Sequence, residues 1–567
     1  MRSKIRWLAF TAALGGLLII GVPSSADHAT RPATKNLEAV GDLTNTGAIN
    51  SDMAFWGDMA FQGNFQGFQI HDISDPTNPS TIIDYEDCNG GQGDLIVWEN
   101  LLVRTWDVGA GAASVCGTDA NGDPIPVSRV GFEGLHLFDI TNPASPQLVG
   151  EVDIDDGAAS LPPGVLTGCG AHTATGVPDP ANNRLLVYVG GSSPLCPGMD
   201  LVEIPLNNPA AAEWYGRAEA GRFCHDIMVY MVDKRRAVCS GSFPDLSIAS
   251  DHGYTYFSMD PADGGSLENP VELYQRNVPA ANNHTAPFTL GHTSGFSQDG
   301  NVLIWSTEPS GGTGAECQES DAPENREMYF FFAEQGNLLG KYTTPTQTSD
   351  ENCASVHIMQ SIPTMNGRDV LSTGTYQAGT YVIDFTSPNV PAIIGYSDPP
   401  PLDPPNLLGG AWATYWYNGY LYESDIFKGL HIHRSTSPEA QTPVVLEFLN
   451  PQTMMPLPEL PAQVVAKCKG KDATHVGTGA KDNILGTAGN DVIVAFGGND
   501  KINAKGGRDL VCAGAGRDRV NGKGGNDKLF GQAGNDNLNG GAGRDRCVGG
   551  GGSDKARKCE KEKSIER

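Results

Sequence analysis

Positive charge, helical apolar periodicity and recognisable catalytic phrases are all scarce in this 567-residue chain, and each shortage narrows what it can be. Lys and Arg number 38 against 66 Asp and Glu, for a formal charge of -28. Phosphate binding needs clustered cations, so the composition argues against a nucleic-acid partner and reads instead as solubility outside the cell. After residue 26 no apolar run approaches the ~20 residues of a spanning helix, so no membrane span is expected in the processed chain. Runs with helical spacing are few while Gly (71) and Pro (38) abound, which points to an all-β, turn-rich protein. The phrases G-x-S-x-G, H-E-x-x-H, G-x-x-x-x-G-K-[ST] and C-x-x-C do not occur, so no catalytic residue is nominated.

Met1 to Ala26 holds Arg2, Lys4 and Arg6, an apolar run from Trp7 to Val22, and Ser24-Ser25-Ala26. This reads as a secretory signal peptide cut after Ala26 or Ala29, and its apolar run is short for a retained anchor. Secretion and 12 cysteines, an even number, favour disulfides over thiols. Eight of them (88, 116, 169, 196, 224, 239, 317 and 353) precede a Pro-rich stretch, Pro451 to Ala466, which reads as a linker. Charge divides there too. From Lys467 onward 19 basic residues face 13 acidic ones, about +6, while upstream 19 face 53, about -34.

One phrase recurs upstream: a small residue, apolar alternation, Asp, Ile or Phe, then a Pro/Asn turn and a second apolar strand. Gly134 to Val152 gives it in full; Gly67 to Pro76 and Gly379 to Pro388 repeat it, and Gly429 to Arg434 is a weaker copy. Period-two alternation followed by Asp-Pro or Asn-Pro predicts a strand and a turn. The phrase resembles the LVIVD-repeat family, and that resemblance implies a β-propeller without a settled activity. Seven inner-strand openings can be placed, at Ser51-Asp52, Gly93-Asp94, Ala171-His172, Cys224-His225, Gly291-His292, Val356-His357 and Ala411-Trp412. They predict seven four-stranded blades over residues 37–450. Glu38 to Leu43 imitates an outer strand yet precedes the first blade, so it is expected to dock on the last and close the ring; Val444 to Leu449 is the rival. Asp119-Ala120-Asn121-Gly122-Asp123 looks like the opening of a calcium loop, but Pro124 stands where such a loop needs Gly, so a plain turn is preferred.

From residue 477 to 558 the period becomes nine. Asp482, Asp491, Asp500, Asp509, Asp518, Asp527, Asp536, Asp545 and Asp554 are evenly spaced, all but the first with Gly two residues before. Ile484, Ile493, Ile502, Val511, Val520, Leu529 and Leu538 follow their Asp by two. The phrase G-G-x-G-x-D-x-U-x resembles the repeats-in-toxin calcium-binding β-roll. Two nonapeptides make one coil, so aspartates 18 apart stack along one edge; parallel strands lie ~4.8 Å apart, and such carboxylates repel unless a hard cation lies between them. Calcium is therefore the expected cofactor, held by Asp482 through Asp545, with fewer than seven strong sites. Arg508, Arg517 and Arg544 depart from the pattern by placing a cation before Asp. Cys468, Cys512, Cys547 and Cys559 flank this segment and allow three connectivities, of which 468 with 512 and 547 with 559 is taken as the working expectation.

Four histidines hold one equivalent position in successive blades: His172, His225, His292 and His357. Inner strands line a propeller's channel, so these imidazoles are expected to converge at one mouth, where they would suit one zinc, copper or iron ion or each bond a backbone carbonyl. Asp52, Asp94 and Trp412 hold the matching place in the other blades. Two functions follow: a secreted, calcium-binding, non-enzymatic module for a cell-surface, glycan or protein ligand, or a metal-dependent enzyme with a His-lined site.

Overall fold

The computed structural model describes residues 34–44, 47–107, 109–119, 121, 123–154, 171–191, 197–242, 252–278, 289–309, 321–345, 356–364, 368–399, 409–442, 444–457, 467–477, 481–495 and 498–563. The expected signal peptide and Cys169, Cys196, Cys317 and Cys353 lie outside them, as does most of the loop from Asp398 to Pro405. The chain divides into two compact units, Met1–Pro458 and Glu459–Arg567. Among the described residues no helix is long and apolar enough to cross a membrane.

The first unit is a seven-bladed propeller of antiparallel four-stranded sheets. Blade 2 is typical: Leu95–Trp98 innermost, then Leu101–Trp106, Gly134–Asp139 and Gln147–Asp153. Tight turns join the strands where the sequence permits positive φ. At Asn418-Gly419, between Ala411–Tyr417 and Tyr420–Asp425 of blade 7, the φ values are 47° and 95°, the pairing a two-residue hairpin needs. The Asp of the repeated phrase ends the third strand, and its Oδ1 accepts the N–H two residues on: Asp72 from Ser74 at 2.9 Å, Asp139 from Thr141 at 2.8 Å, Asp384 from Thr386 at 3.0 Å. That side chain starts the turn to the outer strand, which accounts for its recurrence.

Hydrophobic contacts run between blades rather than within them. Phe61, Phe68 and Ile70 of blade 1 pack on Val97, Leu102 and Phe138 of blade 2; Ile96 and Leu137 of blade 2 pack on Val187 and Val202 of blade 3. A sheet in this ring is thus covered on both faces, and its strands are nearly continuously apolar. The N-terminal strand Leu37–Thr44 pairs antiparallel with Gly429–Ser435 as the outer strand of blade 7, as expected from its likeness to an outer strand. The rival takes a different place. Phe448–Leu449 pairs with Phe55 and Trp56 on the innermost strand of blade 1, and Thr453–Met454 pairs in parallel with Val229 and Tyr230 on that of blade 4. Asn450 and Gln452 then bond the channel wall, Asn450 to Val97 at 2.9 and 3.0 Å and Gln452 Nε2 to Asp52 Oδ2 at 2.9 Å. Cys88–Cys116 and Cys224–Cys239 are disulfides.

The second unit is a parallel β-solenoid with two sheets. One contains Val492–Val494, Leu510–Ala515, Lys528–Ala533 and Arg546–Gly551; the other contains Asn483–Leu485, Lys501–Asn503, Arg519–Gly524, Asn537–Ala542 and Lys555–Arg557. Partners in each sheet are 18 residues apart, Ile493 beside Val511 and Ile502 beside Val520. The apolar ladder turns inward as the period requires, with Ile493, Ile502, Val511, Val520, Leu529, Leu538 and Cys547 buried and Ile484 and Ala556 partly so. Disulfides Cys468–Cys512 and Cys547–Cys559 match the working connectivity and close separations of 44 and 12 residues. On loop-closure entropy they contribute about 4 and about 3 kcal/mol.

Candidate functional site

Two groups of side chains stand out, the aspartate ladder of the solenoid and the inner rim of the propeller. In the solenoid each aspartate from Asp491 to Asp554 is buried, and from Asp500 onward its Oδ1 reaches across one coil to the backbone. Oδ1 of Asp500, Asp518, Asp536 and Asp554 accepts the N–H of Asp482, Asp500, Asp518 and Asp536 at 2.8, 2.9, 2.9 and 2.9 Å. Along the other edge, Asp509, Asp527 and Asp545 do the same for Asp491, Asp509 and Asp527 at 2.9, 2.9 and 2.8 Å. The residue before Asp forms a second ladder: Oδ1 of Asn490, Asn499 and Asn526 accepts the N–H of Arg508, Arg517 and Arg544 at 2.6, 2.8 and 2.7 Å. Those three Arg residues are exposed. They therefore take their backbone place in the ladder without entering it as side chains.

The other carboxylate oxygen is what the protein leaves unanswered. Among the described residues, Oδ2 of Asp500, Asp509, Asp518, Asp527, Asp536, Asp545 and Asp554 is buried and meets no hydrogen-bond donor. An unmet buried carboxylate oxygen is costly. Burial, more than mutual repulsion, raises these acids: Asp500, Asp509 and Asp536 are pushed up to about 6 by desolvation, against a backbone hydrogen bond, with repulsion from aspartates one coil away adding to the rise. The donor set these carboxylates offer is entirely oxygen, and it fits a hard cation such as calcium. At the last coil the register shortens. Glu560, 15 residues after Asp545, offers Oε2 to the Asp545 N–H at 2.5 Å in place of another Asp.

Family profiles match both units: the RTX calcium-binding nonapeptide repeat (4 copies) at residues 476–511, 513–547 and 521–556, and the LVIVD repeat at residues 50–87 and 130–154. The chain carries LVIVD repeats in its seven-bladed propeller and RTX calcium-binding nonapeptide repeats in its β-solenoid. No curated protein matches it. Among solved structures, Hsv2 of Kluyveromyces lactis is similar at 10% identity, over 67% of this chain and 91% of that one, with a TM-score of 0.35.

A calcium-free RTX roll should depend on pH in a defined direction. Asp500, Asp509 and Asp536 hold protons in the folded roll up to about pH 6, whereas in the unfolded chain they release them near pH 4. The folded form binds more protons across that window, so its stability falls as pH rises through it. In chelator the roll's transition, lost at pH 7.5, is expected to return at pH 5, as read by calorimetry. Calorimetric traces alike at the two pH values would remove the buried acids as the cause.

In the LVIVD propeller the four predicted histidines do come together. Ring centroids of His172 and His225 are 4.7 Å apart, those of His225 and His292 4.5 Å, and those of His292 and His357 4.6 Å, with Trp412 4.4 Å beyond His357. Each ring comes from the next blade. β-Bulges help to aim the rim: register shifts fall at Asp52, at His292-Thr293 and at Trp412 on the inner strands of blades 1, 5 and 7. His357 Nδ1 donates to the Trp412 carbonyl at 2.7 Å, so Nε2 carries the lone pair, and it lies 3.5 Å from Glu308 Oε1. His292 Nε2 lies 3.7 Å from Glu308 Oε2. Tyr376 donates its hydroxyl to Glu308 at 2.5 Å, and His172 Nδ1 is 3.1 Å from Asp107. His225, His292 and Glu308 each bring one ligand atom within 4.8 Å of the others.

Burial holds these rings neutral. His292 and His357 are pushed down to about 3, by desolvation first and by repulsion from neighbouring histidines next, and His225 well below its usual value for the same reasons. Such rings are ligands or hydrogen-bond partners rather than proton donors at neutral pH. Among the described residues Asp52 and Asp94 make no hydrogen bond to a histidine ring. Asp52 accepts from Tyr415, Gln452 and the Met53 N–H, Asp94 from the Ala174 N–H, and both repel Asp226, which desolvation raises to about 7. Glu308, Tyr376 and Asp107 carry no signal in the sequence, because they sit on second strands and in loops where no position recurs between blades. Asp119 spends its Oδ1 on the N–H groups of Asn121 and Asp123 at 2.8 and 2.9 Å, the behaviour of a plain turn.

Proposed function

We propose that this is a secreted, non-enzymatic binding module, in which calcium orders the roll and the acidic propeller carries the ligand-contacting surface. The observation that carries the reading is the row of seven buried, donorless Asp Oδ2 atoms in the roll. Extracellular calcium, at millimolar concentration, can populate sites far weaker than those used inside cells, and disulfides at both ends of the roll suit an oxidising compartment. The propeller offers no motif for a covalent nucleophile. Binding surfaces built from loops on a rigid scaffold are the usual use of such a ring.

When the full gene is expressed with its N-terminal segment, the protein should be recovered from the medium with Asp27 or Thr30 as its first residue. It should also be retained on the surface of intact cells in calcium and released by chelator. A cell-associated product with Met1 intact would sink the secretion reading, and retention indifferent to chelator would sink the role given to the roll.

A further inference from the structure

We propose that His225, His292 and Glu308 form a mononuclear site for a divalent first-row transition ion at the inner rim of the propeller, with His357 beside the same carboxylate. The spacing decides between two uses of these side chains. Glu308 lies 3.5 Å from His357 Nε2 and 3.7 Å from His292 Nε2. Both distances are too long for hydrogen bonds, yet two ligands ~2.0–2.1 Å from a shared tetrahedral ion stand about 3.3–3.4 Å apart. The carboxylate therefore stands at co-ligand spacing from each ring, its Oε2 toward His292 and its Oε1 toward His357, rather than as their acceptor. His225 completes the group, since its ligand atom, one from His292 and one from Glu308 all lie within 4.8 Å of one another.

Charge points the same way. Glu308 is 5% exposed, and Tyr376, at 2.5 Å, is its hydrogen-bond donor. A buried carboxylate is costly unless a proton or a cation joins it. The donors are nitrogen and oxygen with no thiolate, which suits zinc or iron(II) and disfavours calcium, whose ligands are oxygens. Outer partners that orient metal-bound rings are present as well. The Trp412 carbonyl fixes the tautomer of His357, and Tyr376 holds Glu308. A purely structural cluster would need neither a bulge at His292-Thr293 nor a carboxylate set beyond hydrogen-bonding reach of both rings.

Cobalt(II) is the probe, because imidazole coordination gives visible d–d absorption that oxygen-only calcium sites do not match. The full-length protein, stripped with chelator and then saturated with calcium to fill the roll, is titrated with cobalt and back-titrated with zinc. One cobalt per chain is expected, with a tetrahedral spectrum erased by one equivalent of zinc. Glu308→Gln, which keeps the side chain's shape, and His292→Ala should each weaken cobalt binding at least about 100-fold. Tyr376→Phe, acting only through Glu308, should weaken it about 10-fold and shift the spectrum. Tryptophan fluorescence melts check that each variant is folded; should the His292 and Glu308 variants fail that check, the wild-type spectrum and the Tyr376→Phe shift decide. Wild-type protein that takes up no cobalt or zinc above calcium background overturns the site. So does a folded Glu308→Gln variant with wild-type affinity and spectrum.

Discussion

Removing calcium from the full-length protein is expected to abolish one of two thermal transitions and leave the other in place. The roll has a thin core. Its inner ladder is one Ile, Val or Leu per nonapeptide with Ala495, Ala504, Ala513 and Cys547, and a second small cluster holds Cys468, Val494, Leu510 and Cys512. Against that stands the ordering of many glycines, the residue that loses most freedom on folding, and a row of buried carboxylate oxygens without donors. Each calcium bound only by the folded form adds about 2.7 kcal/mol at a hundredfold excess over its dissociation constant. In a unit near 100 residues one such site raises the melting temperature by on the order of 10 °C or more. The readout is unusually clean, because all 8 tryptophans lie at or before Trp416, in the propeller and the segment ahead of it. Calorimetry should show both transitions in calcium and only one in chelator, and tryptophan fluorescence should follow the survivor alone. A calorimetric trace that chelator leaves unchanged would refute the coupling of metal to fold.

Two adjacent glycines in the roll should respond oppositely to the same substitution. At Gly525, φ is +128°, and a Cβ would stand 1.5 Å from the Gly507 carbonyl oxygen of the coil below. At Gly524 no left-handed φ is needed, and the nearest atom to a Cβ is the Lys505 carbonyl oxygen at 3.9 Å. Gly525→Ala is therefore expected to cost on the order of 3 kcal/mol or more, because backbone of two coils must move apart, and to erase the calcium-dependent transition. Gly524→Ala should leave it within about 0.5 kcal/mol of wild type. Calorimetry of both variants in saturating calcium checks the pair, and equal melting temperatures would mean that the coils are not stacked as described. The chain already records the asymmetry: the position three before Asp accepts Ala at 488, 515, 533 and 542, while the position two before is Gly in every repeat from 489 to 552.

That contrast shows why the roll was so readable in sequence. Period nine fixes which residues face in, which turn and which carry charge, so Asp positions, apolar ladder and edge assignment all follow from spacing. What spacing could not give was the use of each carboxylate, one oxygen bonded to the backbone 18 residues earlier and the other left inward. The propeller was legible at the level of blades. Inner-strand openings gave the count, and the outer-strand likeness of Glu38 to Leu43 gave the closure. The rim was legible only in part: four histidines announced themselves by recurring, whereas Glu308 and Tyr376 reach the same place once each, from a second strand and from a turn. Repetition in the sequence exposes what blades share, and a site made by breaking that repetition stays hidden until the blades are set around their axis. The fate of Phe448 to Met454 was hidden for a like reason, since nothing in a short apolar stretch names the sheet edge it will join.

That last segment gives the ring a chord. Phe448–Leu449 lies on blade 1 and Thr453–Met454 on blade 4, while the outer strand of blade 7 belongs to the other end of the chain. Traction applied downstream of Leu457 therefore cannot peel a blade from its rim. It is borne first inside the channel, by two short ladders and by the Gln452 bond to Asp52, and reaches the outer strands only after those give way.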